Sequence, residues 1–145
     1  MLPRFHHILV PVDSTVKNNV AMDIAFELAV QNKATISLLH VVQAIDSAGD
    51  PPDEETTEFY NHIRERADSE MERISQRFLD AEVQCEVKVR IGDRLREIVE
   101  FANQHRVDLI VMSSHRIDPG HLAETWGTLS YKVSVMCECP ILLVK

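Results

Sequence analysis

The chain has 145 residues, 45% of them hydrophobic and 26% charged, and carries a formal net charge of −8. That length encloses a core without disulfides or metals, so one domain over 1–145 is expected. The mixture excludes a disordered chain, no stretch has the apolar span of a membrane helix, and the negative charge argues against binding nucleic acid. Met1 to His7 lacks a signal-peptide run, and Cys85, Cys137 and Cys139 form neither a disulfide framework nor a zinc pattern, so a cytoplasmic protein with reduced, packed thiols is expected.

His7 to Val12 is a short apolar run of the kind that forms a strand buried on both faces. Asp13, Ser14 and Thr15 end it, and apolar residues from Val20 to Ala29 recur at helical spacing, predicting a helix over Lys17 to Gln31. Thr35 to Val42 is rich in β-branched residues and predicts a second strand. Gln43 to Glu55, with Gly49, Pro51 and Pro52, reads as a solvated loop. Phe59, Ile63, Ala67, Met71, Ile74 and Phe78 then mark a long amphipathic helix with a charged outer face, on which Arg66 and Glu70 stand at pairing distance.

Gln84 to Arg90 alternates charged with apolar residues, as a strand near a sheet edge does. Gly92 and Asp93 turn the chain, with Asp93 placed to cap a helix carrying Leu95, Ile98, Val99 and Ala102. Val107 to Met112 is the next strand, and a loop from Ser113 to Thr125 follows. A helix carrying Leu129, Val133 and Met136 ends before Pro140, and Ile141 to Val144 is the last strand. Five strands alternating with four helices predict an open α/β fold, a parallel sheet with helices on both faces. Ligands of such sheets bind outside the carboxyl ends of the strands, which directs attention to Asp13, Val41 and Ser113.

Gly127, Thr128, Leu129 and Ser130 stand at the start of the last helix. Free backbone N–H groups there favour an anion, glycine admits it closely, and Thr128 and Ser130 offer hydroxyl donors. The same residues also serve as an ordinary helix cap. No His, Cys or acid spacing indicates a metal site, and the phosphate loops of conventional ATPases and the dinucleotide fingerprint are both absent.

Five blocks resemble the universal stress protein family, in the family's order and across nearly the whole chain. They are Ile8 to Ser14, Leu38 to Val42, Gly92-Asp93, Asp108 to His115, and Cys139 to Val144. The resemblance implies a Rossmann-like five-stranded parallel sheet in the order 3-2-1-4-5, of the adenine nucleotide alpha hydrolase type, and a homodimer formed through the last strand. It also implies ATP or another adenine nucleotide as ligand, with Mg2+ as a companion ion near Asp13. Adenine and ribose would lie against Pro11, Val12, Asp13 and Val41, and the phosphates against Met112, Ser113, Ser114, Arg116, Gly127, Thr128, Leu129 and Ser130.

The family's phosphate segment reads Gly-x-x-Gly, nine residues, then Gly-Ser or Gly-Thr. In this chain Ser113 and Arg116 replace the first two glycines, and ten residues separate Arg116 from Gly127. Side chains therefore stand where backbone would meet phosphate, while the Arg116 guanidinium offers a fork for phosphate oxygens, or pairs with Asp118. Two functions follow: a nucleotide-binding stress protein with at most slow ATP hydrolysis, or a nucleotide-free dimeric module that binds other proteins.

Overall fold

The computed structural model describes residues 4–12, 18–44, 51, 53–114 and 128–145. Within them the elements alternate as β1 (His7–Pro11), α1 (Asn18–Asn32), β2 (Thr35–Gln43), α2 (Glu54–Asp80), β3 (Cys85–Gly92), α3 (Arg94–Gln104), β4 (Leu109–Ser113), α4 (Leu129–Met136) and β5 (Ile141–Val144). The five strands form one sheet in the order β3-β2-β1-β4-β5, parallel throughout. The order agrees with that implied by the family resemblance.

Side chains that alternate along the central strands feed two cores. Ile8 and Val10 of β1, Ile36 and Leu38 of β2, and Leu109 and Val111 of β4 face one side, where Ala21 and Ala25 of α1 and Met71 and Phe78 of α2 cover them. Leu9, Leu39, Val41, Ile110 and Met112 face the other side, beneath Ile98, Phe101 and Ala102 of α3 and Val133 of α4. Phe78 and Phe101 are fully buried, one in each core. Removing either ring would cost about 3–5 kcal/mol. Cys137 and Cys139 pack against the second core, in keeping with the expected role of small apolar side chains.

Helix α2 differs from the sequence expectation at its start. It begins at Glu54, inside the segment read as a solvated loop, because the Asp53 side chain accepts a hydrogen bond from the Thr56 amide at 2.7 Å. Glu54 and Glu55 suit the positive end of that helix. At 27 residues α2 runs about 40 Å. The 9-residue β2 spans about 30 Å. The first turns therefore extend past the sheet, which leaves Phe59 54% exposed although its spacing marked it for the core. Glu70 pairs with Arg73, at 2.6 Å and one turn on, where the sequence reading had singled out Arg66.

Candidate functional site

The carboxyl ends of β1, β2 and β4 lie side by side, since β1 pairs with both β2 and β4. Backbone bonds continue the ladders past the strands: the Val12 amide donates to the Leu39 carbonyl at 2.8 Å, and the Ser114 amide donates to the Val144 carbonyl at 2.7 Å. His40 Nδ1–H donates to the Val12 carbonyl at 2.7 Å and so holds the end of β1 against β2.

A hollow of about 170 Å³ opens at this edge. Of the residues singled out from sequence, Pro11, Val12, Val41, Met112, Ser113, Thr128, Leu129 and Ser130 line it together. Ser114 adjoins them, accepting a contact from the Ser130 hydroxyl at 3.4 Å. Asp13, Arg116 and Gly127 lie outside the described residues, as does His115. Four further lining residues had not been anticipated: Leu39, His40, Arg94 and Ile98. Arg94 had a legible signal, because it follows the Gly92-Asp93 turn at the carboxyl end of β3.

The hollow has an apolar side and a hydroxyl side. Val41, Ile98 and Met112, all nearly fully buried, make the apolar wall with Leu39 and Leu129. On the other side Thr128 is the N-cap of α4, its hydroxyl 3.4 Å from the Tyr131 amide. The first helical bond is that of Lys132 to the Thr128 carbonyl, at 3.1 Å. The amides of Leu129 and Ser130 therefore have no acceptor within the helix. Thr128, Ser130 and Ser114 form a chain of hydroxyl contacts, each 3.4 Å long. Good O–H···O bonds are about 2.7 Å, so these hydroxyls are weakly committed to one another and can turn to a better acceptor.

Among the described lining residues none is acidic, and Arg94 alone carries a permanent charge. Behind it, Arg90 and Glu97 form a half-buried pair at 3.3 Å. A Cβ at Gly92 would stand 2.8 Å from Glu97 Oε1, so a larger residue there would shift the Glu97 side chain. The described residues contain no cluster of His, Cys, Asp and Glu able to hold a metal ion. No helix among them is long and apolar enough to cross a membrane.

The chain resembles proteins with this architecture along its full length. It is 28% identical over 148 residues to the Bacillus subtilis universal stress protein YxiE, covering 97% of this chain and 99% of that protein. It is 26% identical to the solved universal stress protein UspA from Lactobacillus plantarum, with a TM-score of 0.79 over 98% of this chain and 99% of the other. The universal stress protein from Archaeoglobus fulgidus, solved in complex with dAMP, shares the fold at 17% identity and a TM-score of 0.66, covering 97% of this chain and 98% of that one. The family model for universal stress proteins matches residues 4–145, and the chain belongs to the universal stress protein family.

Proposed function

We propose that the chain is a cytoplasmic stress-response protein that binds an adenine nucleotide at the carboxyl ends of β1 and β4. The observation that carries this reading is the two-sided hollow, with an apolar wall suited to a base and loosely engaged hydroxyls with free amides suited to phosphate. The dAMP-bound relative, of the same fold, supports the ligand class. Base and ribose would rest on Pro11, Val12, Val41 and Met112, and phosphates on Ser113, Ser114, Thr128, Leu129 and Ser130. From the sequence pattern Asp13, Arg116 and Gly127 belong to the same site.

The described lining holds no carboxylate, so a magnesium ion would come with the phosphates of ATP and not be held by these residues alone. We assign this site at most slow hydrolysis of the bound nucleotide, with positioning and the companion ion as its means. The exposed apolar side chains Leu142 and Leu143 on edge strand β5, with Val135 and Met136 on α4, are the surface we assign to a homodimer.

Thr128→Asp tests the reading directly. Aspartate is as good an N-cap as threonine and keeps α4 in place, but it sets a carboxylate where phosphate would lie. The substitution is expected to abolish the calorimetric heat of ATP and AMP binding while leaving the melting curve unchanged, whereas Thr128→Asn retains binding. Wild-type protein that gives no heat with ATP, ADP or AMP at millimolar concentration would refute the proposal. It would favour the nucleotide-free interaction module, for which Ser113 in place of a glycine already speaks.

A further inference from the structure

Arg94 is the lining residue for which neither the fold nor the phosphate seat gives a reason. It and Ile98 are four residues apart on α3 and so share one face of that helix, one turn apart. Both line the hollow, Ile98 at 2% exposure as part of the inner wall and Arg94 exposed at the rim. The Cα–Cβ bonds of a helix tilt toward its N-terminus, which carries the Arg94 side chain outward over the mouth.

Of the acids near Arg94 on α3, Asp93 caps the helix by accepting from the Arg96 amide at 2.9 Å, and Glu97 is engaged by Arg90 at 3.3 Å. Among the described residues the Arg94 guanidinium has neither an ion pair nor a hydrogen bond. Only its backbone is tied, the amide donating to Gln43 Oε1 at 3.3 Å. A guanidinium at the rim of an apolar slot, in a chain of net charge −8 and with no partner among the described residues, is placed to meet a ligand. Its neighbour Arg90 shows the packing such a group adopts here, lying 5.2 Å from the centroid of the Phe101 ring.

Resting on the nucleotide-binding reading, we propose that Arg94 strengthens ligand binding by stacking its guanidinium on the outer face of the bound heteroaromatic base, whose inner face meets the wall containing Ile98. A guanidinium is planar and weakly hydrated, and it stacks on aromatic faces in a way an ammonium does not. Phosphate contact is the competing role, since α3 packs against both β2 and α4, whose N-terminus carries the hydroxyl side.

Calorimetric titrations of adenosine, AMP and ATP against wild type, Arg94→Ala and Arg94→Lys test this, with melting curves as a check of folding. Arg94→Ala weakens all three ligands by one common factor, about 2- to 30-fold. Lysine fails to restore the loss, and the salt dependence of ATP binding stays as in wild type. Unchanged affinities in Arg94→Ala would overturn the stacking role and leave the nucleotide reading standing. A loss that grows from adenosine to ATP and is rescued by lysine would overturn it in favour of a phosphate contact. Wild-type protein that binds none of the three ligands removes the nucleotide reading and this inference together.

Discussion

At the end of the sheet where strands begin, three helices pass into three strands through one repeated turn; at the end where strands finish, the connections differ in length and polar side chains gather round a hollow. Lys33, Glu82 and Arg106 each adopt a left-handed conformation, with φ of 53°, 60° and 52°, just after α1, α2 and α3. The following residues, Ala34, Val83 and Val107, donate back to the carbonyls of Ala29, Phe78 and Ala102 at 3.0, 2.8 and 3.0 Å, and all three are buried. These are helix ends of the Schellman kind, in which the Lys33 and Glu82 amides add a second bond, to the carbonyls of Val30 and Leu79 at 3.4 and 3.0 Å.

The same end is stitched to the N-terminal segment. The Asp108 carboxylate accepts the His6 and His7 amides at 2.7 and 3.0 Å, and Asn32 Oδ1 accepts those of Arg4 and Phe5 at 3.0 and 3.3 Å. His7 adds a ring contact to the Ser37 hydroxyl at 2.6 Å. Among the described residues these side-chain bonds to the N-terminal segment brace the end where strands start. The opposite edge holds the hydroxyl contacts at 3.4 Å and the rim arginine, groups that a ligand can recruit without breaking the fold.

The comparison breaks most sharply at Asp108. Asp108→Ala removes the acceptor of two amides and should destabilise the protein by about 1–3 kcal/mol in urea unfolding. Its affinity for ATP should be unchanged, and a parallel loss of binding would show that the two ends are not separable.

A smaller effect of opposite sign belongs to Glu82. Glycine takes the left-handed conformation without the Cβ penalty, so Glu82→Gly is expected to stabilise by about 0.5–1 kcal/mol, despite the extra freedom it gives the unfolded chain. Destabilisation in the same unfolding experiment would contradict the assignment of that turn.

The smallest effect concerns pH. Burial, assisted by Glu86, pushes the Cys85 thiol up to about 11, and burial, assisted by Cys139, does the same for Cys137. Both cysteines lie at the stitched end, at the start of β3 and the end of α4. A folded-state value above the ordinary 9.0 means that the neutral thiols contribute their stabilisation fully below about pH 9 and lose it as pH rises through 11. Iodoacetamide should accordingly modify the native protein more slowly at pH 8 than the urea-unfolded chain; equal rates would show thiols that are not held in this way.

Much of the fold was legible from residue patterns. The apolar runs His7 to Val12 and Val107 to Met112 read as buried strands and contain most of β1 and β4, and Asp93 capped α3 as its position implied, accepting the Arg96 amide at 2.9 Å. The start of α2 was hidden by Pro51 and Pro52, whose turn character outweighed the acids and Thr56 that follow. Phe59 misled because helical spacing records a stripe but not where the underlying sheet stops.

The site was legible where a residue ended a strand or began a helix, as with Val12, Ser113 and Thr128. It was not legible at Leu39 and Ile98, which read as ordinary core residues, or at His40, which nothing nearby in sequence sets apart.

The sequence by itself determined which segments are strands and helices and which face of each is buried, because burial imposes a spacing that neighbouring residues record. Only the tertiary structure decided that residues 11, 41, 94, 113 and 128 border a single hollow. Their meeting depends on β1 lying between β2 and β4, a choice of partners made by packing across the whole sheet, and no local pattern encodes it.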